Sequence, residues 1–133
     1  MVDQDRSPRS NASGSPLDLQ VSYRLGAPLI YVKGELDHDT AGHLREAIDE
    51  ELKNNPAALL LEFSGLAYMD SGGLSLMFET VKRFQGPAGV GVVGANSAVG
   101  RLLEITGLID HPSFSLFSDQ RAAAAALGEA GSS

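Results

Sequence analysis

The sequence predicts one α/β domain built on a mixed, mostly parallel β-sheet, with an antiparallel first strand and about four helices. Three observations support this fold class. The 133 residues suffice for a single hydrophobic core. Two apolar runs separated by a turn open the ordered part of the chain. Amphipathic helical patterns then alternate with further apolar runs, which is the order typical of parallel β-α-β units.

The fold is expected to begin near Leu17. Residues 1–16 are rich in Ser, Asp, Arg and Pro, contain little that a core could bury, and are predicted to form a flexible N-terminal tail. A turn at residues 26–28 leads into a second apolar run at residues 29–32, which predicts an antiparallel hairpin. The first strand alternates apolar with polar residues, as a strand with one face on a core does, through Leu17, Leu19, Val21 and Tyr23.

A helix and then the central strand are predicted next. Asp39 or Thr40 can cap the helix, and residues 54–56 end it. Residues 57–63 are apolar except for Glu62, as expected of a strand covered on both faces. The helix carries its apolar positions on one stripe, formed by Ala41, Leu44, Ala47, Ile48 and Leu52.

The remaining segments continue the alternation of helices and strands. The domain is expected to span residues 17–127, and residues 128–133 are predicted to form a C-terminal tail. The predicted elements are a helix with its stripe over residues 74–84, a strand over 90–93, a helix from Asn96 or Ser97 to a cap at Gly107, a short strand at Phe114 and Leu116, and an alanine-rich helix over 119–127.

Composition excludes several classes of function. The formal net charge is −7 and the basic residues are scattered, so nucleic acid is not an expected partner. The chain contains no cysteine, which removes disulfides and thiolate chemistry. No apolar run is long enough to cross a bilayer, and residues 1–16 lack the apolar segment of a signal peptide. We therefore expect a cytoplasmic protein that uses neither a membrane nor a cofactor.

Two apparent binding motifs do not have the context that they need. Residues 89–94 satisfy G-x-G-x-x-G, but the glycines lie inside a valine-rich run, whereas a dinucleotide site needs them between a strand and a helix. His38 and His43 are five residues apart and do not share a helical face, and His111 is distant in the chain. A histidine-based metal site is therefore not predicted.

The most informative segment is residues 68–77, which we interpret as the loop after the central strand. It is polar and glycine-rich, and it places Ser71 at or beside a helix start, where free N–H groups and the helix dipole favour an oxygen ligand or a negative charge. The simpler alternative is that Ser71 or Asp70 only caps that helix. Asp37 and Asp70 both follow strands that should be neighbours, so their carboxylates are expected at one rim, either as caps or as part of the surface around Ser71.

A serine hydrolase is a further alternative for this segment. Ser71, His38 and Asp37 supply the residue types of a catalytic triad. However, Met69 stands two places before the serine, where the G-x-S-x-G motif of hydrolases has glycine. The hydrolase interpretation therefore depends on residue types alone.

Two motifs and the strand between them, in order along the chain, resemble the STAS-domain anti-sigma factor antagonists. They are Gly-Glu-Leu-Asp-His-Asp-Thr-Ala at residues 34–41, Leu-Leu-Leu-Glu-Phe at 59–63 and Met-Asp-Ser-Gly-Gly-Leu at 69–74. The resemblance extends over about residues 17–127 and includes the predicted order of elements. It implies the STAS fold.

The resemblance also implies a switched, non-enzymatic regulator. In this family the serine after the aspartate of a D-S-[ST]-G-L loop is phosphorylated by an anti-sigma factor that is also a serine kinase. Ser71 matches that position, and Asp70 matches the aspartate. The unphosphorylated antagonist binds the anti-sigma factor and frees the sigma factor, and a serine phosphatase resets the cycle. The alternative is a STAS scaffold or binding subunit of a larger signalling or transport assembly, without phosphorylation.

One position departs from the family motif. Gly72 stands where the family often has Ser or Thr, which leaves Ser71 as the only acceptor in the core of the loop and is expected to make the loop more flexible. Ser75 lies one turn further on and matches less well. The residues that we expect to contact the partner are Asp37, His38, Asp39, Asp70, Ser71, Gly72, Gly73 and Leu74.

Overall fold

One mixed β-sheet organises the protein. The structure is a computed structural model that describes residues 17–132, with side chains described as far as Gly128. Within that range the strands are β1 (Leu17–Arg24), β2 (Ala27–Leu36), β3 (Ala58–Glu62), β4 (Leu66–Met69), β5 (Gly89–Val93) and β6 (Phe114–Phe117). The helices are α1 (Ala41–Leu52), α2 (Ser71–Arg83), α3 (Ser97–Ile105) and α4 (Gln120–Ser132), with a short 3-10 helix at Leu108–Asp110.

The predicted sheet type is confirmed. The strand order is β1-β2-β3-β5-β6, with β4 paired to β2. Only the β1–β2 pair is antiparallel among the described strands, and the other pairs are parallel. The hairpin turn uses Leu25 and Gly26, whose φ angles of 53° and 82° are left-handed, as two-residue turns between twisted strands require.

The two faces of the sheet are covered unequally. Helices α1, α2 and α3 contribute buried residues to the larger core, together with the β-strand residues Leu36 and Leu61 and with Phe63, which directly follows β3. On the other face α4 packs Ala123 against a small cluster of Leu29, Leu60 and Val93. The burial of β3 on both faces confirms that it is the central strand.

The first strand is less buried than its alternation predicts. Leu17 is buried, but Val21 is 42% exposed and Tyr23 is 58% exposed. These residues face the same side of the sheet as Leu17, because side chains alternate along a strand. Val21 and Tyr23 lie near the hairpin turn, on a strand at the edge of the sheet. The alternation of apolar residues therefore predicted which face of β1 points toward the core, but it did not predict that the helices leave the end of that face uncovered.

A short strand, β4, lies between the central strand and the candidate site. We expected residues 68–77 to form the loop directly after β3, and this is wrong. The chain leaves β3 and re-enters the sheet beside the end of β2, with Leu36 opposite Met69. The strand was not recognised because its middle residues, Ala67 and Tyr68, are both exposed, which breaks the period-2 pattern.

Ion pairs connect the two helices that flank the candidate site. Arg45 of α1 makes a two-pronged contact with Glu79 of α2, at 3.2 Å from Nε and 2.8 Å from Nη2. The hydrogen bonds from Arg45 hold the pKa of Glu79 below its ordinary value. Arg83 of α2 likewise pairs with Asp49 of α1. These contacts keep α1 and α2 side by side.

The ends of several elements differ from the predictions. Helix α4 continues past residue 127 to Ser132, whereas α2 begins at Ser71, in agreement with the prediction that Ser71 lies at or beside a helix start. Gly107 follows α3 with a φ of 85°, as predicted for a C-terminal cap. The predicted tail at residues 1–16 lies outside the described residues, and the limits of the domain stay a prediction.

Candidate functional site at the start of helix α2

Asp70 fixes the start of α2. It occupies the N-cap position in extended backbone, and its Oδ1 accepts hydrogen bonds from the N–H groups of Gly72 at 2.7 Å and Gly73 at 3.3 Å. Its own N–H donates to the carbonyl of Leu36 at 3.1 Å. Asp70 is therefore the cap of this helix, and Ser71 is the first helical residue rather than the cap.

The second oxygen of the Asp70 carboxylate faces His38. His38 Nδ1 lies 3.3 Å from Asp70 Oδ2, and the side chains are 71% and 26% exposed, respectively. Partial desolvation raises the pKa of Asp70, but the hydrogen bonds from His38 and from the N–H groups of Gly72 and Gly73 outweigh it and hold this pKa below its ordinary value. Asp70 is thus a stable carboxylate at neutral pH.

The neighbouring loop, residues 37–40, is organised by Asp37. Its Oδ1 accepts from the N–H groups of Asp39 at 2.9 Å and Thr40 at 3.0 Å. The Thr40 hydroxyl accepts from Asp37 N–H at 2.9 Å and donates to the carbonyl of Glu35 at 2.8 Å. The prediction that the side chain of Asp39 or Thr40 caps α1 is wrong. Thr40 occupies the N-cap position without a side-chain cap, because its hydroxyl is used inside the loop.

The two loops lie side by side. Because β2 pairs with β4, the residues that follow these strands, Asp37 and Asp70, are at one rim of the sheet. Our expectation of a shared rim is met, although β4 rather than the central strand brings Asp70 there. The N–H groups that Asp37 and Asp70 satisfy show that both carboxylates are also structural.

Gly72 and Gly73 let the loops come into contact. A Cβ atom on Gly72 would lie 2.8 Å from both Cα and N of His38, and one on Gly73 would lie 2.8 Å from the carbonyl oxygen of Leu36. Real Cβ atoms essentially never approach other atoms so closely. Gly72 therefore lies in the first turn of α2 and is packed against the main chain of His38.

Ser71 presents its hydroxyl beside this contact. The residue is exposed, as is Ser75 one turn further along α2, whereas Leu74 is half-buried and packs against the core. Tyr68, three residues before Ser71, is 50% exposed and was not among our predicted site residues. An exposed aromatic residue beside a candidate site is the signal that would have included it, because tyrosine is enriched at protein interfaces.

The other chemistries weighed above receive no geometric support. His38 contacts Asp70, and the Asp37 carboxylate is used by main-chain N–H groups, so no Asp37–His38–Ser71 relay is formed. Residues 89–93 form strand β5, in which Gly91 provides room for the ring of Phe117. Among the described residues, no cluster of three or more His, Cys, Asp or Glu side chains could hold a metal ion. No helix in the described range is long and apolar enough to span a membrane.

Comparison with known proteins identifies the family. The STAS domain model matches residues 18–123. This chain belongs to the STAS-domain family. Its fold is also that of a solved anti-sigma factor antagonist from Mycobacterium paratuberculosis, at 28% identity and a TM-score of 0.75, covering 84% of this chain and 94% of that one.

Relatives of this STAS domain share one type of name. The anti-sigma-F factor antagonist RsfB of Mycobacterium tuberculosis strain H37Rv is 33% identical over 93 residues, which are 70% of this chain and 75% of that protein. The anti-sigma-B factor antagonist of Staphylococcus aureus strain NCTC 8325 is 34% identical over 82 residues, 61% of this chain and 76% of that protein. The phosphorylated form of Bacillus SpoIIAA has the same fold, at 20% identity and a TM-score of 0.60, covering 79% of this chain and 96% of that one.

The structure thus brings all the predicted site residues of this STAS domain to one rim. Asp37 and Asp70 organise the two loops, His38 connects them, and Gly72 and Gly73 allow their close approach. The sequence pattern gave no sign of the contact between His38 and Asp70, which lie 32 positions apart.

Proposed function

We propose that this STAS domain is an anti-sigma factor antagonist that binds an anti-sigma factor kinase and is released when Ser71 is phosphorylated. The observation that carries the proposal is the exposed position of Ser71 directly after the capping residue Asp70, on a helix start packed against the neighbouring loop. The names of the relatives support an antagonist rather than an enzyme. The protein would act in the cytoplasm, where ATP and sigma factors are found.

The phosphoryl transfer requires only a hydroxyl from this chain. The Ser71 oxygen forms a new P–O bond with the γ-phosphorus of ATP held by the partner, the bond to ADP breaks, and the hydroxyl proton passes to a base of the partner kinase. The contribution of the STAS domain is geometric. The cap hydrogen bonds of Asp70 and the packing of Gly72 hold Ser71 in one place while its side chain stays accessible.

Phosphorylation would weaken the complex through charge. A phosphate adds about −1.5 to −2 charges at neutral pH, and here it would stand next to the Asp70 carboxylate. Burying that charge in an interface without a partner carries a desolvation cost. A loss of about 2.7 kcal/mol weakens binding roughly a hundredfold, since each 1.4 kcal/mol is tenfold. A serine phosphatase would restore the binding form by hydrolysing the phosphate.

The proposed partner surface surrounds Ser71. It consists of the loop at residues 37–40, the first turn of α2 and Leu74, which together include every residue predicted above. Tyr68 is an addition from the structure, because it is exposed beside this rim and aromatic side chains often anchor interfaces. The partner chemistry that we expect is a kinase surface with basic groups, since the rim carries Asp37, Asp39 and Asp70.

Reconstitution with a kinase tests the proposal. The purified protein is incubated with candidate kinase-type anti-sigma factors and ATP, phosphate is located by mass spectrometry, and affinity is measured for wild type, Ser71→Ala, Ser71→Asp and Ser75→Ala. Ser75 is the matched control, because it is an exposed serine one turn away on the same helix. We expect phosphate on Ser71 in wild type and in Ser75→Ala, none in Ser71→Ala, and affinity reduced at least tenfold in Ser71→Asp, a loss of about 1.4 kcal/mol or more.

Two results would count against the switch. If Ser71 stays unmodified and Ser71→Asp binds as tightly as wild type, phosphorylation does not control this protein, and a STAS scaffold that binds without phosphorylation becomes the better description. Phosphate that appears on Ser75 instead would move the acceptor to the next turn of α2.

A further inference from the structure

We propose that His38 positions the phosphate of phosphorylated Ser71, exchanging its contact with Asp70 for one with the phosphate. This inference rests on the proposed function only in taking Ser71 as the modified residue. It assigns to His38 a role inside the switched protein itself, independent of any partner.

The charges at the rim make His38 distinctive. Residues 35–40 and 66–73, which meet here, contain the acidic side chains of Glu35, Asp37, Asp39 and Asp70. His38 is the one side chain in these two segments that can become positively charged. A phosphate on Ser71 would therefore arrive among carboxylates, and His38, which contacts the residues on either side of Ser71, is the group within these segments that could pair with it.

The helix start offers the phosphate few free donors. The N–H groups of Gly72 and Gly73 already donate to Asp70 Oδ1, and the N–H of Leu74 donates to the Asp70 carbonyl at 3.0 Å. A phosphate at a helix N-terminus usually uses such N–H groups. In this protein Asp70 occupies the N–H groups of Gly72, Gly73 and Leu74, so a side-chain donor would supplement the few that remain for the phosphate.

The backbone of His38 and the base of its ring pack against Gly72, while most of the side chain is exposed. The main chain packs so closely against Gly72 that a Cβ there would lie 2.8 Å from the His38 Cα. The side chain, by contrast, is 71% exposed. Ser71 lies between Asp70, which the ring contacts, and Gly72, which the main chain and the ring atom Cγ contact. Rotation of the ring about its side-chain bonds would therefore bring a ring nitrogen toward a phosphate on Ser71 without a change in the loop.

Exchanging the partner of His38 leaves the helix cap in place. The ring contacts Asp70 Oδ2, whereas the cap hydrogen bonds use Oδ1. The His38–Asp70 contact is long, at 3.3 Å, and lies in an exposed position. A histidinium–phosphate pair is a charge-assisted hydrogen bond, and the phosphate carries more negative charge than the Asp70 carboxylate does. Moving the ring of His38 from Asp70 to the phosphate is therefore favourable.

The test uses phosphoserine installed at position 71 by amber suppression, so that no kinase is needed. The phosphate signal is followed by 31P NMR against pH in wild type, His38→Gln, His38→Arg and the matched control His43→Gln. His43 is an exposed histidine in the first turn of α1 and is outside the proposed contact. Thermal unfolding of each variant verifies that the fold is kept.

A cation in contact with the phosphate stabilises its dianion, so it lowers the second pKa of the phosphate, which is about 6 when free. We expect this pKa to be lower in wild type than in His38→Gln by roughly half a unit or more, unchanged by His43→Gln, and restored by His38→Arg. A purely structural role of His38 would not produce rescue by arginine.

The inference is overturned if the phosphate titrates identically in wild type and His38→Gln, or if His38→Gln and His43→Gln shift it equally, which would indicate only a general charge effect. Its failure is separate from that of the proposed function. Kinase assays decide whether Ser71 is modified, whereas the titration decides what His38 does once a phosphate is there.

Discussion

Helices α2 and α3 begin in similar ways, yet only one of these starts has the features of a functional site. Each helix follows a strand, is capped by the side chain of the preceding residue, and has an exposed serine directly after the cap: Asp70 with Ser71, and Asn96 with Ser97. A serine after a cap is therefore not informative by itself. The differences lie in the cap and in what packs against it.

The cap of α3 is neutral, and both polar atoms of its side-chain amide form hydrogen bonds. Asn96 Oδ1 accepts from Val99 N–H at 2.8 Å, and Asn96 Nδ2 donates to the carbonyl of Leu66 at 3.1 Å. The cap of α2 is charged and uses one oxygen for the helix and the other for His38. A helix start is therefore a candidate switch when the capping side chain is charged and also contacts a second loop, as Asp70 does through His38.

The largest expected effect on stability concerns Gly73, which packs against Leu36. Gly73 occupies the position in α2 that Val99 occupies in α3, counted from the cap. Gly73→Val would drive a side chain against the Leu36 carbonyl, and we expect it to lower the free energy of unfolding by about 3 kcal/mol. Chemical denaturation measures this change.

A matched control for this prediction is Gly100→Ala in α3. A Cβ on Gly100 would meet open space, so this variant should stabilise the protein by up to about 1 kcal/mol through helix propensity. Equal effects of the two substitutions would contradict the close approach at Gly73.

Removal of each cap should separate structure from binding. Asn96→Ala is expected to lower the free energy of unfolding by about 1 kcal/mol, because the side-chain cap of α3 is lost. Asp70→Ala should also lower the free energy of unfolding. In addition, it should weaken binding to the kinase, since Asp70 is part of the proposed surface. Calorimetric titration of both variants against the partner measures the difference. A comparable loss of affinity in Asn96→Ala would show that both helix starts belong to the interface.

The smallest effect is the pH dependence of the Asp70 cap. The pKa of Asp70 is lower in the folded protein than its ordinary value, so its charged form stabilises the fold. That contribution is complete above the unfolded pKa, near about 4, and disappears as pH falls through the folded value. The stability difference between wild type and Asp70→Asn should therefore be constant near neutral pH and shrink below about pH 4. A difference that grows on acidification would contradict the direction of this shift.

The sequence predicted the sheet type and the helices because their signals are long. The stripe of α1 and the apolar run of β3 span whole elements, and both were confirmed. Strand β4 has no such signal, since only its terminal residues, Leu66 and Met69, are buried. It could be found only through its pairing with β2, which is a long-range property.

The candidate site shows the same division. The motif around Ser71 was recognisable because its residues are consecutive in the chain. The contact between His38 and Asp70 joins residues that are 32 positions apart in the chain. It depends on the parallel pairing of β2 with β4. The packing of Gly72 against His38 depends on that pairing too, so a local sequence pattern suggested flexibility where the structure has a tight contact.

A switch at Ser71 is best tested by the dissociation constant of the kinase complex for three forms of this protein: unmodified, phosphoserine at position 71 and phosphoserine at position 97. All three carry the natural chain, and the last two have equal charge at equivalent positions of α2 and α3. We expect phosphate at Ser71 to weaken binding roughly a hundredfold and phosphate at Ser97 to change it by about twofold or less. Equal effects at the two serines, or no effect at Ser71, would contradict a switch located at the start of α2.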